Sequence, residues 1–92
     1  MVISIEYCNM WGYYNQALSL SESLENKFGA DVSLVESSGG VFEVTMYDEY
    51  TDSTFVLFSK KESNRFPDKN EVENNIWPLL SGGLGRKKTY VL

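Results

Sequence analysis

Apolar and polar positions alternate with period two over Val2-Ile3-Ser4-Ile5-Glu6-Tyr7, which sets Ile3, Ile5 and Tyr7 on one face and Ser4 and Glu6 on the other. With its β-branched content, this predicts a strand over 2–7. Residues 8–12 break the alternation, and Asn9 and Gly12 supply turn chemistry. From Tyr13 the period lengthens. Tyr13, Ala17, Leu20, Leu24 and Phe28 recur every three or four positions, the mark of an amphipathic helix, with Gly29 as its C-cap. Further strands are predicted over 31–36, 41–47 and 54–59. Ser37-Ser38-Gly39-Gly40 forms a turn, and a connection holding Asp48, Glu49 and Asp52 reads as a solvated hairpin loop. Residues 60–67 read as polar and irregular. Asp68 and Glu71 form an acidic variant of the capping box, with Asp68 as N-cap. The helix it opens carries Val72, Ile76, Leu79 and Leu80 as its apolar stripe, and Pro78 marks its last turn or a kink.

The order is β-α-β-β-β-α. A strand–helix–strand opening favours a right-handed crossover between parallel strands, and the later short turns favour antiparallel hairpins beside them. The expected architecture is a mixed four-stranded sheet covered by helices, an α/β sandwich of thioredoxin-like type in two or three layers. One domain is expected over 1–81. Residues 82–92, with Gly82, Gly83, Gly85 and then Arg86, Lys87 and Lys88, read as a glycine-rich basic tail or the approach to a short added strand. Tyr90-Val91-Leu92 has the apolar spacing that β-augmenting peptide-binding domains capture, a pattern common by chance.

Composition narrows the chemistry. The 92 residues contain no histidine and one cysteine, Cys8, so neither an imidazole-activated nucleophile nor a zinc site of the usual ligands can be built. An intrachain disulfide is equally impossible. Thirteen acidic and eight basic residues give a net charge of −5, and three of the basic ones fall within 86–92. The rest carries a net −8, which argues against binding a phosphate backbone. No run approaches a membrane span and no signal peptide is evident, so a cytoplasmic protein, monomeric and with a reduced thiol, is expected.

That thiol sits where the first strand turns into the first helix. Backbone N–H groups and the helix dipole at such a turn favour an anion and would activate a cysteine. An exposed loop position is expected for Cys8, against the plainer reading of a buried structural cysteine. Trp11, Tyr13 and Tyr14 beside it would form an apolar patch suited to docking a partner, with Tyr13 the most inclined of the three to pack inward.

The residues here resemble a known family. Ile5-Glu6-Tyr7-Cys8-Asn9-Met10-Trp11-Gly12-Tyr13 is similar to the opening of the selenoprotein W family, the Rdx group of thioredoxin-like proteins. In that group a strand ends in Tyr-Cys and leads into a C-x-x-C or C-x-x-selenocysteine motif followed by Gly-Tyr. The likeness continues through Ala17, Leu24 and Phe28-Gly29, then Gly40-Val41-Phe42-Glu43-Val44, Phe58-Ser59-Lys60-Lys61 and Arg65-Phe66-Pro67-Asp68. It spans about residues 2–80.

Three departures bear on what the resemblance implies. Trp11 stands at the position of the second cysteine or selenocysteine, and an indole cannot resolve a mixed disulfide. Because selenocysteine is encoded by UGA, which some codes read as Trp, the codon at position 11 decides whether the Trp is genuine. Asn64 replaces the glycine before Arg-Phe-Pro, and Asn tolerates the left-handed backbone such a turn needs. The connection from Asp48 to Ser53 is longer than the family's tight hairpin. The resemblance implies a thiol redox protein in which Cys8 forms mixed disulfides with glutathione or a partner thiol. Asn9, Met10, Gly12, Tyr13 and Tyr14 would line the site. No bound cofactor or metal is implied, glutathione would be a co-substrate, and 14-3-3 proteins are implied as partners. The competing expectation is an interaction module that keeps the fold and has lost the redox pair.

Overall fold

A computed structural model describes residues 1–80 of the chain. The sequence-predicted domain boundary at 81 and the tail over 82–92 therefore lie outside the described residues. Four strands form one sheet: β1 (Val2–Cys8), β2 (Asp31–Ser37), β3 (Phe42–Asp48) and β4 (Ser53–Ser59). They lie in the order β2-β1-β3-β4, with β1 parallel to β2 and both β1–β3 and β3–β4 antiparallel. The crossover between β1 and β2 is made by α1 (Tyr13–Phe28), whose C-cap is Gly29 in the left-handed conformation, as the sequence predicts.

α1 and α3 (Glu71–Leu80) lie side by side on the same face of the sheet. Phe28 meets Trp77 at 4.7 Å between ring centroids, and Lys27 Nζ donates to Asn70 Oδ1 at 2.9 Å. The sandwich therefore has two layers. Ile3, Ile5, Phe42, Val44, Leu24, Val72 and Ile76 are buried between them. Each such side chain contributes about 1.5–3 kcal/mol when removed from water. The other face of the sheet carries Ser4, Glu6, Glu43 and Thr45, as alternation in β1 and β3 requires.

Two features depart from simple alternation. Val44 pairs with Phe58 but Thr45 pairs with Val56, so Leu57 is the extra residue of a β-bulge. The bulge lets Leu57 and Phe58, adjacent in sequence, both be buried. It also frees the Leu57 carbonyl from the ladder, and Asn75 Nδ2 of α3 donates to that oxygen at 2.8 Å. The second feature is Glu73, a charged residue on the buried face of α3 with only 6% of its surface exposed. Ser23 Oγ donates to its Oε2 at 2.6 Å, and Lys27 Nζ stands 3.9 Å away. The carboxylate is thus satisfied between the helices, as a buried charge must be.

The segment over 60–67 is more regular than the sequence suggests. Residues Lys60–Ser63 form a one-turn helix, α2. Ser59 is its N-cap, accepting from the Glu62 N–H at 3.3 Å, and Asn64 closes it at φ 59°. Asn64 thus takes the left-handed conformation expected at the position where the family has glycine. α3 begins at Glu71, later than a cap at Asp68 would give. One arm of the predicted capping box forms, since Glu71 Oε1 accepts from the Asp68 N–H at 2.9 Å. The Asp68 side chain does not cap the helix. Asn70, at φ 66°, immediately precedes it, and the Asn70 carbonyl accepts from the Asn74 N–H. Pro78 lies within α3, where it removes the N–H that would otherwise donate to the Asn74 carbonyl.

Candidate functional site

Cys8 is the last residue of β1 rather than part of the loop beyond it, and it is 1% exposed. The expectation of an exposed loop thiol is corrected. The ladder continues one residue past the predicted strand, because the Cys8 N–H donates to the Val41 carbonyl and the Asn9 N–H to the Ser37 carbonyl, each at 2.9 Å. Backbone bonds on both sides clamp the thiol at the centre of the sheet's end. Its Sγ lies 4.0 Å from Asn9 Oδ1, a weak contact at most.

Three residues on, the opposite holds. Trp11 is 97% exposed and Met10 61%, and Asn9 is exposed as well. Gly12 turns the chain into α1 at φ 91°, a conformation that strains any residue with a Cβ. The loop is held from below by the Tyr13 N–H donating to the Met10 carbonyl at 3.3 Å. The three aromatic residues of the expected patch divide. Tyr14 is half-exposed, its ring 5.7 Å from that of Tyr7. Tyr13 packs inward, its ring 4.9 Å from Phe66, which in turn lies 5.3 Å from Phe42. Cys8 and Trp11 thus flank one turn but face different environments.

The segment after β4 braces this end of the sheet. Lys60 Nζ stands 5.8 Å from the ring centroids of both Tyr13 and Phe66. Glu43 Oε2 accepts from the Lys61 N–H at 3.1 Å. Arg65 forks onto Glu71, with Nη1 to Oε1 at 2.7 Å and Nη2 to Oε2 at 2.9 Å. That guanidinium, with the Asp68 N–H, holds the Glu71 carboxyl at a pKa of about 2, well below its ordinary value. Serine, lysine, arginine and phenylalanine in the motifs over 58–68 therefore have mechanical duties: cap, ring contact, ion pair and plug. Sequence reasoning noted these motifs without assigning them work, although Ser59-Lys60-Lys61-Glu62 spells a capping box.

Elsewhere the carboxylates Asp48, Glu49 and Asp52 form a hairpin loop. Asp48 accepts from the Tyr50 N–H and the Thr51 hydroxyl, and Tyr47 donates to Asp52 at 2.7 Å. Among the described residues no group of three or more His, Cys, Asp or Glu is placed to hold a metal ion. No helix among them is long and apolar enough to cross a membrane.

A β2-β1-β3-β4 sheet whose first strand lies inside it and crosses through a helix to its parallel neighbour defines a thioredoxin-like architecture. The chain belongs to the Rdx family, which matches residues 2–77. Its fold is similar to the crystal structure of a selenoprotein W-related protein from Vibrio cholerae, with a TM-score of 0.68, 20% identity, and coverage of 86% of this chain and 95% of that one. No match is found among curated proteins.

Proposed function

We propose that this member of a thioredoxin-like redox family acts as a protein-interaction module, using the β1–α1 turn for docking rather than for turnover. One observation carries this reading: the thiol, Cys8, is buried, while Trp11, which the resemblance sets at the position of the second redox residue, is almost fully exposed. In a two-residue redox motif the outer group attacks and the inner one resolves. Here the inner sulfur remains and the outer one is replaced. Met10, Trp11 and Tyr14 instead present large apolar side chains of the kinds enriched at interface hot spots. The partner class is a protein with an apolar groove that takes the Trp11 ring. A 14-3-3 protein is a partner suggested by the family resemblance.

A second reading keeps the thiol active, and the position of Cys8 at the strand–helix turn favours it. Cys8 would lose its proton to solvent, and its thiolate would attack one sulfur of oxidised glutathione. One S–S bond breaks, a Cys8–glutathione disulfide forms, and one glutathione thiolate leaves. A partner thiol or a second glutathione would then have to resolve it, with no second thiol in the chain. This reading requires the turn over 9–12 to open, oxidised glutathione for the first step and a free thiol for the second.

Two substitutions separate the readings. Partner capture in the presence of reductant should survive Cys8→Ser and be lost in Trp11→Ala. If the captured proteins vanish with reductant and with Cys8→Ser but survive Trp11→Ala, the interaction reading fails and the mixed-disulfide reading stands. Mass spectrometry after oxidised glutathione checks the second reading directly, since it demands one added glutathione on the native chain and none on Cys8→Ser. A Trp11→Cys variant that acquires reversible dithiol oxidation would show that the scaffold still places the outer position for attack.

A further inference from the structure

The two edges of the sheet are unlike. β4 forms one of them, and the bulge at Leu57, with the Asn75 amide on the Leu57 carbonyl, breaks up its ladder. β2 forms the other, seven residues with no bulge, proline or lysine, paired in unbroken register with β1. Its ends fix which backbone groups face inward. The Asp31 N–H donates to the Met1 carbonyl and the Ser37 carbonyl accepts from the Asn9 N–H, each at 2.9 Å. Period two along the strand then turns the groups of Asp31, Ser33, Val35 and Ser37 toward β1, and those of Val32, Leu34 and Glu36 outward. The outward groups have no partner among the described residues.

Side chains give this edge an apolar centre and acidic ends. Ser23 and Lys27 mark the flank of α1 that faces α3, since they bond to Glu73 and Asn70. Helical spacing sets Tyr14, Leu18 and Glu25 on the opposite flank, over the partly buried Val32 and Leu34. On the uncovered face of the sheet, Val35 is exposed. Asp31 and Glu36, near the two ends of the strand, are exposed as well. α1 and β2 hold one cation between them, Lys27, and it is turned away to Asn70.

We propose that the β2 edge binds an extended cationic segment of a partner protein, which joins the sheet as a further strand with apolar residues opposite Leu34 and Val35 and a lysine or arginine opposite each of Asp31 and Glu36. Backbone bonds to Val32, Leu34 and Glu36 supply the affinity, and the charges at the ends fix the register. A second copy of this strand would bring no cation to an acidic edge, so charge favours the basic partner. The edge adjoins Tyr14 but uses neither Cys8 nor Trp11, and the proposal stands or falls independently of the β1–α1 turn.

An end-blocked hexapeptide of lysine, valine, leucine, threonine, valine and lysine is the probe, since antiparallel to β2 it sets its lysines opposite Glu36 and Asp31. In the full chain without peptide, the Val32, Leu34 and Glu36 amides should exchange with solvent at least about tenfold faster than those of Ser33 and Val35. Saturating peptide should slow them to a similar rate. A peptide with glutamate for both lysines should bind about tenfold more weakly at low salt, and N-methylation of its leucine and second valine should abolish binding. Asp31→Asn/Glu36→Gln should weaken binding of the lysine peptide about fivefold, as added salt should. Glu36→Pro removes an outward N–H that the fold does not use, and should weaken binding about threefold beyond Glu36→Gln. The proposal is overturned if the peptide does not bind, if it protects Thr54 and Val56 of β4 instead, or if the glutamate peptide binds equally well. Protection of Val32, Leu34 and Glu36 before any peptide is added also overturns it, and loss of that protection on dilution would identify a second copy as the occupant.

Discussion

The two ends of the sheet are finished in different ways. At the end that holds Cys8, Phe42, Phe66 and Tyr13 interlock, a one-turn helix is capped at both ends, and Arg65 clamps Glu71. At the other end Met46 and Phe55 look onto a cavity of about 700 Å³ beneath an acidic hairpin. The contrast teaches where this sequence invests its order. Aromatic packing and charge pairing converge on the end of the sheet that carries Cys8 and the β1–α1 turn.

The contrast is open to direct attack. The largest effect is expected from core truncation: Phe42→Ala should cost about 3–5 kcal/mol, because the buried ring leaves a void between β1 and Phe66. Phe55→Ala should cost less than half as much, since that ring already borders the cavity. Equal losses in urea denaturation would erase the proposed difference between the ends. Next comes thiol protection. A small alkylating reagent should modify Cys8 at least about a hundredfold more slowly in the native chain than in urea, with reaction requiring local opening of the turn. Comparable rates would mean that the buried position does not persist in solution.

Smaller effects sharpen the picture. Asn64→Ala should cost about 1–2 kcal/mol by forcing a β-carbon-bearing residue without Asn's local hydrogen bonding into the left-handed region, while Asn64→Gly should be close to neutral. A thermal scan of both variants checks the pair, and a destabilised Gly variant would show that the Asn side chain itself matters. The smallest effect is acid-dependent. Glu71 has a depressed pKa in the folded state, so its pairing with Arg65 stabilises fully above the ordinary glutamate pKa, and the stabilisation is lost as pH falls from about 4.5 towards 2. Over that window, the urea midpoints of wild type and Glu71→Gln should converge. A gap that stays constant down to pH 2 would remove the ion pair from the account.

Most of the architecture could be read from periodicity, because β1 and α1 each carry one clear pattern and glycines bound α1 at both ends. The bulge at Leu57 could not, since strict alternation predicts opposite faces for Leu57 and Phe58, and only the partner strand reveals the extra residue. Asp68 misled because its residue type suits a cap, whereas Asn70 adopts the left-handed conformation just before α3 and the Asp68 carboxylate lies 3.8 Å from Arg65 Nη1. The site was legible as an address and illegible as an environment. Spacing located Cys8 and Trp11, but whether a side chain at the end of a strand is covered depends on the neighbouring Val41 and Ser37 backbones, which lie about thirty residues away in the chain. The cavity at the far end had no sequence signal, because its walls come from four separate segments.

The strand order also has a consequence for how the molecule is assembled. β1 lies between β2 and β3, yet it is made before both. During synthesis it can first dock with α1 and β2 as one crossover unit, leaving its other edge unpaired until β3 emerges. Because Ile3 and Ile5 lie on that strand, the interval exposes an apolar, hydrogen-bond-hungry edge of the kind that invites aggregation. Lengthening the interval between the emergence of β2 and that of β3 from the ribosome would prolong that exposure and should lower the soluble yield.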